Sequence, residues 1–170
     1  NYRIPAENLI GGVEGNGFYQ STGGLELGRI NVAARGVGLA EGALRLATEY
    51  AQLRETMGRP IADHQAIQLK LGEMVTRARA ARLLTFDAAE AYDRGDRCDM
   101  EAGMAKYFAS EAAVRNSEES LRIHGGYGYS KEYEIERYYR DAILMCIGEG
   151  TNEMQRIIIA RQWVKRNAVT

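Results

Sequence analysis

The segment "CIGEGTNEMQR" sets a carboxylate, Glu149, between Gly148 and Gly150, directly ahead of Met154, Ile157 and Ile158 at helical spacing. Glycine on either side lets backbone approach a ligand closely and take unusual dihedral angles, a setting that suits a general base. The same residue also fits an ordinary first-turn carboxylate, which a helix N-terminus stabilises. The remaining residue types that could do chemistry are sparse. Cys98 and Cys146 lie far apart with no CxxC, and His64 and His124 are isolated from them and from each other, so metal-ligand spacing is absent. Both cysteines read as inert small hydrophobes, consistent with a reducing compartment.

Composition limits the partners. The chain has 170 residues, 45 % hydrophobic and 26 % charged, with a formal net charge of −1. That is the balance of one globular domain, without the basic patch of a nucleic-acid binder. The longest apolar runs fall far short of the ~20 residues of a membrane helix, and "NYRIPAENLIGG" lacks signal-peptide architecture, so no membrane insertion is expected.

Stepping along the chain gives the elements that must hold Glu149. Residues 1–22, rich in glycine, read as strand and loop. From about Leu25 to Arg54, the positions Ile30, Ala33, Val37, Ala40, Leu44, Ala47 and Ala51 form one apolar helical face. Gly36, Gly38 and Gly42 lie inside that helix at a cost of about 1 kcal/mol each, so something must approach closely: a neighbouring helix or a planar ligand. "RETMGRPIADHQ" interrupts, with Asp63 a plausible N-cap for a second helix whose face carries Ile67, Leu71, Met74, Ala78, Ala81 and Thr85. Gly95 stops it. Asp99 can cap a third helix with a face of Met104, Phe108, Ala112 and Leu121, which "HGGYGY" closes. A short helical piece at "EYEIERYYRD" precedes a last helix from about Thr151 to Arg166, where Asn152 and Gln155 have the spacing of a capping box. Long helices with short connections make an all-α, antiparallel four-helix bundle with a short irregular N-terminal segment.

Three stretches, "GGLELGRINVAARGVGLAEGALRLATEYAQLRETMGRPIADHQAIQLKLGEM", "IHGGYGYSKEYEIERYYRDA" and "IGEGTNEMQRIIIARQ", together resemble the C-terminal helical domain of the flavin-dependent acyl-CoA dehydrogenases. The resemblance runs from about residue 23 to the end, and residues 1–22 look like the tail of that family's middle β-domain. It implies that the chain is a fragment, inactive by itself, of an enzyme that uses FAD to convert an acyl-CoA to the trans-2-enoyl-CoA. Glu149 matches the family's base, which removes an α-proton while the β-hydrogen leaves as hydride to the flavin. Some family members carry the base on the first long helix, where this chain has Gly28.

Further roles follow from the same resemblance. Glu26 and Arg29 match substrate-side positions, with an ion pair between helices the plain alternative for Arg29. Gly148 and Gly150 flank the reacting carbons, and Gly148 replaces a tyrosine of the short- and medium-chain enzymes, which suggests room for a branched or bulky acyl group. "RETMG" resembles a loop that reaches the FAD of a neighbouring subunit, with Arg54 and Thr56 as contacts; an arginine fork suits a diphosphate. Met57 stands in that loop where phenylalanine is common. Gln65, preceded by His64, matches a flavin contact, though such a pair at a helix start also serves as ordinary capping. Arg122 replaces an amide ahead of Gly125 and Gly126, which fit close backbone approach to the cofactor or a helix C-cap. Thr151 and Glu153 complete the flavin side.

The implied partners are an acyl-CoA, an electron-transfer flavoprotein or similar acceptor, and further copies of the chain in a homo-oligomeric dimer or tetramer. The implied compartment is the bacterial cytoplasm or the mitochondrial matrix. Two other functions use the same scaffold: an acyl-CoA oxidase-like enzyme, and a non-catalytic helical interaction module.

Overall fold

The structure is a computed structural model that describes residues 1–169. Its helices are α1 (Gly17–Gly23), α2 (Leu25–Leu53), α3 (Gln65–Asp93), α4 (Asp99–His124), α5 (Ile135–Ile147) and α6 (Asn152–Arg166). A two-stranded hairpin, β1 (Glu55–Thr56) and β2 (Arg59–Pro60), separates α2 from α3. The expected all-α bundle is therefore present. No strand lies in residues 1–22, where strand was expected. That segment holds a 3-10 turn at Ala6–Asn8 and α1, buries no residue, and exposes Tyr2, Ile10, Phe18 and Tyr19. A strand needs a partner for its backbone groups; none is at hand here.

Helix α4 is the centre of the bundle and packs against α2, α3, α5 and α6. Its buried surface is accordingly built from small residues: Ala102, Ala105, Ala109, Ala112 and Ala113. Met104, Phe108 and Leu121, expected to form its core face, are only half-buried at the rim. Four neighbours at close range favour small side chains along the middle of α4, where Lys106 is the long side chain buried among them. The apolar face expected for α2 is the one found, with Leu44 half-buried and the other six positions buried. A Cβ on Gly36 would lie 2.9 Å from the carbonyl of Ala109, so the close partner there is the backbone of α4. Gly38 faces open space, and Gly42 faces the ring of Tyr138 on α5.

The fourth column of the bundle is broken. Tyr133, just ahead of α5, meets His124 at the end of α4, and the Cys146 carbonyl at the end of α5 meets Lys106 in its middle. Helix α6 then continues the descent: Asn152 meets Ser110 and Lys106, Gln162 meets Asp99, and Arg166 pairs with Glu101 near the start of α4. Helices α5 and α6 thus form one column antiparallel to α4, interrupted at residues 148–151. The interruption carries Glu149.

Helix ends shift slightly from the expected caps. His64, extended and without a side-chain cap, precedes α3, while Asp63 ends a 3-10 turn over Ile61–Asp63. Cys98 precedes α4, so Asp99 is its first residue. Gly95, at φ +78°, does follow the end of α3. No helix among the described residues is long and apolar enough to cross a membrane.

Candidate active site

Gly148 leaves α5 in an extended conformation (φ −66°, ψ 152°), then Glu149 and Gly150 both take positive φ, at 54° and 85°. Left-handed backbone is natural for Gly150; for a glutamate it costs about 1–2 kcal/mol. Such strain persists only where the surroundings hold it, and they do. Thr151 caps α6, its hydroxyl accepting from the Met154 amide at 3.4 Å. Gln155 donates from Nε2 to the carbonyls of Glu149 and Gly150, both at 3.1 Å. Asn152 and Gln155 therefore do not form the expected capping box: Asn152 points to α4, and Gln155 satisfies loop carbonyls instead of an amide.

The twist aims the Glu149 side chain at α2. A Cβ built on Gly28 would lie 2.8 Å from Glu149 Oε2 and 3.1 Å from its carboxyl carbon. The carboxylate therefore occupies the space that any larger residue at position 28 would take. The next residue on α2, Arg29, is buried; its Nη1 lies 3.5 Å from Asp99 Oδ1 in an ion pair without hydrogen-bond geometry, and its Nε has no hydrogen-bond partner. This is the ion pair between helices. Glu26 accepts from the Cys98 thiol at 3.5 Å, and burial pushes that thiol up to about 11, so Cys98 stays protonated and unreactive at neutral pH. Burial raises the Cys146 thiol as well. Glu153 is exposed in the first turn of α6 and pairs with Arg156 at 2.9 Å.

A second group of residues gathers at the other end of α4. Met57 and Gly58 both have positive φ, which makes a two-residue hairpin turn that carries Met57 into solvent, 96 % exposed. His64 ties the hairpin down. Its Nδ1 lies 3.2 Å from an Arg59 guanidinium nitrogen, which can only donate, so Nδ1 accepts and Nε2–H donates to the Thr56 hydroxyl at 3.0 Å. Arg54, Thr56, His64, Gly125 and Gly126 line a cleft of about 620 Å³. Gly125 sits at φ 60°, ψ −134°, a region open essentially to glycine alone. The His124 ring stacks on Tyr50 with centroids 4.3 Å apart, and its Nδ1 donates to the Ser120 carbonyl at 2.7 Å, which leaves Nε2 as an acceptor. Burial pushes the His124 imidazole below its usual range. Arg122 does not reach this cleft; its guanidinium is taken by Glu118 at 2.6 Å. Gln65 is exposed on the first turn of α3, beside the hairpin but outside the cleft lining.

The family description "acyl-CoA dehydrogenase, C-terminal domain" matches residues 15–164. The chain belongs to the acyl-CoA dehydrogenase family. It is 50 % identical to an acyl-CoA dehydrogenase of Bacillus subtilis over 95 % of its own length and 42 % of that protein's. A caffeyl-CoA reductase–Etf complex subunit of Acetobacterium woodii is 41 % identical over 96 % of this chain and 43 % of its own length. Among solved structures, the butyryl-CoA dehydrogenase of Megasphaera elsdenii superposes with a TM-score of 0.92 at 42 % identity, over 95 % of this chain and 42 % of that one. This chain thus spans about two-fifths of the length of the acyl-CoA dehydrogenase relatives it matches. Members of the family are FAD-dependent oxidoreductases.

The residues present fit part of such a cofactor's surroundings. The exposed Arg54 fork and the Thr56 hydroxyl supply donors for a diphosphate, and the bare backbone at Gly125 and Gly126 admits a ligand closely. Residue patterns did not point to Lys106, fully buried between Glu149's two flanking helices. A signal was there: Lys106 falls four residues from both Ala102 and Ser110, on the face of α4 that small residues otherwise occupy.

Proposed function

We propose that this chain is the helical C-terminal part of an FAD-dependent acyl-CoA dehydrogenase in which Glu149 takes the α-proton of an acyl-CoA. The observation that carries the reading is the left-handed Glu149 at the break of the fourth column, its carboxylate turned against Gly28. A non-catalytic interaction module would have no use for that strain, because a continuous helix could span the break without it. Arg29 and Glu26 lie on the same end of α2 and border the approach to the carboxylate. The Nε of Arg29, which has no hydrogen-bond partner, supplies a donor toward a thioester or CoA oxygen. A bound FAD would supply the hydride acceptor for the β-hydrogen. Glu149 accepts the α-proton, the α,β double bond forms, and Thr151 and Gln155 keep the carboxylate's backbone from relaxing as charge leaves it. Arg54, Thr56, Gly125 and Gly126 hold the cofactor, with Gln65 and the hairpin presented to a neighbouring copy of the chain.

Gly148 leaves open the wall where a tyrosine would stand, which favours a branched or aromatic acyl group. The relative named for caffeyl-CoA, an aryl acyl thioester, supports that substrate class, and its Etf complex supports an electron-transfer flavoprotein as the redox partner. The same base and flavin would then also serve the reductive direction, with Glu149 returning a proton to the α-carbon. Exposed apolar side chains along α3, Leu69, Val75, Leu83 and Phe86, support a homo-oligomer.

Glu149→Gln in the whole protein tests the reading. Size and backbone contacts survive, so FAD content should be retained while flavin reduction by acyl-CoA falls by at least about 10²–10⁴-fold, the worth of general-base assistance. Reduction at the parental rate would remove Glu149 from the chemistry. Peroxide formed by the parental enzyme without an added acceptor would favour the oxidase form of the reaction.

A further inference from the structure

Lys106 is fully buried, and its partners are not what a buried ammonium usually finds. Lysine is almost never fully buried unless paired with a carboxylate. Here the Nζ donates to two neutral oxygens, the Cys146 carbonyl at 3.1 Å and Asn152 Oδ1 at 2.9 Å. Burial pushes the ammonium below its usual range, so holding it there is costly. Its two acceptors belong to the last turn of α5 and the first residue of α6, and between them lie only residues 147–151. The Cys146 carbonyl is one of the orphan acceptors that every helix end leaves, and a cation is favoured there. Asn152 is fixed in turn: the Ser110 hydroxyl sits 3.0 Å from its Oδ1, and its Nδ2 donates to Glu111 Oε1 at 2.9 Å.

We infer that Lys106 is a positioning residue for Glu149: it clamps the two helix ends on either side of the break to the central helix, and so fixes where the carboxylate stands. A methionine would fill the same volume without the charge, and would leave both helix ends free to drift. Thr151 and Gln155 hold the loop from within, whereas Lys106 connects both of its ends to α4. The inference rests on the reading of Glu149 as the base, but its structural half can be measured separately.

The test is Lys106→Met in the FAD-loaded whole protein. Amide hydrogen exchange should accelerate at least about ten-fold in peptides covering 147–152, while peptides from α3 keep parental protection, since local opening reports local stability. Unchanged exchange in 147–152 overturns the inference, whatever the activity. Flavin reduction should fall about 10- to 10²-fold, the scale of an ångström-size misplacement of a reacting group. A merely structural lysine would weaken any base equally, so the decisive comparison uses the base relocated to α2 in a Gly28→Glu, Glu149→Gln background. There Lys106→Met should change reduction by less than about two-fold, as uncoupled sites do. Equal losses in both backgrounds overturn the inference, and if the relocated base gives no measurable reduction the exchange result decides alone. Should Lys106→Met fail to fold, Asn152→Ala cuts only the α6 side of the clamp and must show the same loop-confined exchange. If Glu149→Gln keeps parental activity while the exchange pattern appears, the base reading fails and the clamp stands.

Discussion

Gly28→Ala should separate stability from catalysis. In α2 the glycine costs up to about 1 kcal/mol relative to alanine, so helix propensity favours the substitution. The added Cβ would stand 2.8 Å from Glu149 Oε2, and ordinary contact begins near 3.4 Å, so the carboxylate must retreat by 3.4 − 2.8, about 0.6 Å. The atom in the way is the far end of a flexible side chain, so the retreat is cheap for folding. It is not cheap for proton transfer. If a 1 Å misplacement costs up to 10²-fold, 0.6 Å corresponds to roughly ten-fold, or about 1.4 kcal/mol on the barrier. The assays are thermal unfolding and single-turnover flavin reduction by acyl-CoA in the whole protein. Tm should rise by up to about 3 °C for a domain of this size while reduction slows about ten-fold. Reduction at the parental rate would show that the working carboxylate does not lie against Gly28. A fall in Tm would show that the side chain cannot yield.

Gly36→Ala and Gly38→Ala should act in opposite directions: the first drives a Cβ to 2.9 Å from the Ala109 backbone and should destabilise by about 1–3 kcal/mol, whereas the second meets nothing and should gain up to about 1 kcal/mol by urea unfolding. Gly148→Tyr is compatible with φ −66° and ψ 152° and should lower kcat/KM for branched or aromatic acyl-CoAs more than for straight chains; equal losses would place the acyl pocket elsewhere. Burial lowers the His124 imidazole from an unfolded value near 6.5, so its stabilisation is complete above 6.5 and is lost as pH falls toward the folded pKa, at up to about 1.4 kcal/mol per pH unit. Urea unfolding of His124→Gln should therefore show a shallower loss of stability between pH 7 and pH 5 than the parental protein; an identical slope would mean that the stack on Tyr50 does not exclude the charged ring.

The sequence by itself determined the helices from α2 onward, because their apolar spacing and the stops at Gly95 and Gly125 are local properties that a chain carries wherever it goes; α1, in a segment that reads as strand and loop, was missed. It also marked Glu149, by its glycine neighbours and its place before a helix. The face of α4 was misjudged for a tertiary reason: a helix with four neighbours buries its smallest side chains and sends Met104 and Phe108 to the rim, and periodicity cannot count neighbours. Only tertiary structure decided that α5 and α6 are one interrupted column, since contacts some 40 residues apart, from Lys106 to Cys146 and Asn152, align them. It likewise sent Arg29 on α2 to Asp99 on α4, whereas Arg122 takes Glu118 one turn back on its own helix, a pair already present in the local spacing. And it gave the left-handed twist to Glu149 itself as well as to Gly150: the Gln155 side chain that holds both carbonyls is placed there only once α6 has formed and buried it, which residue spacing does not reveal.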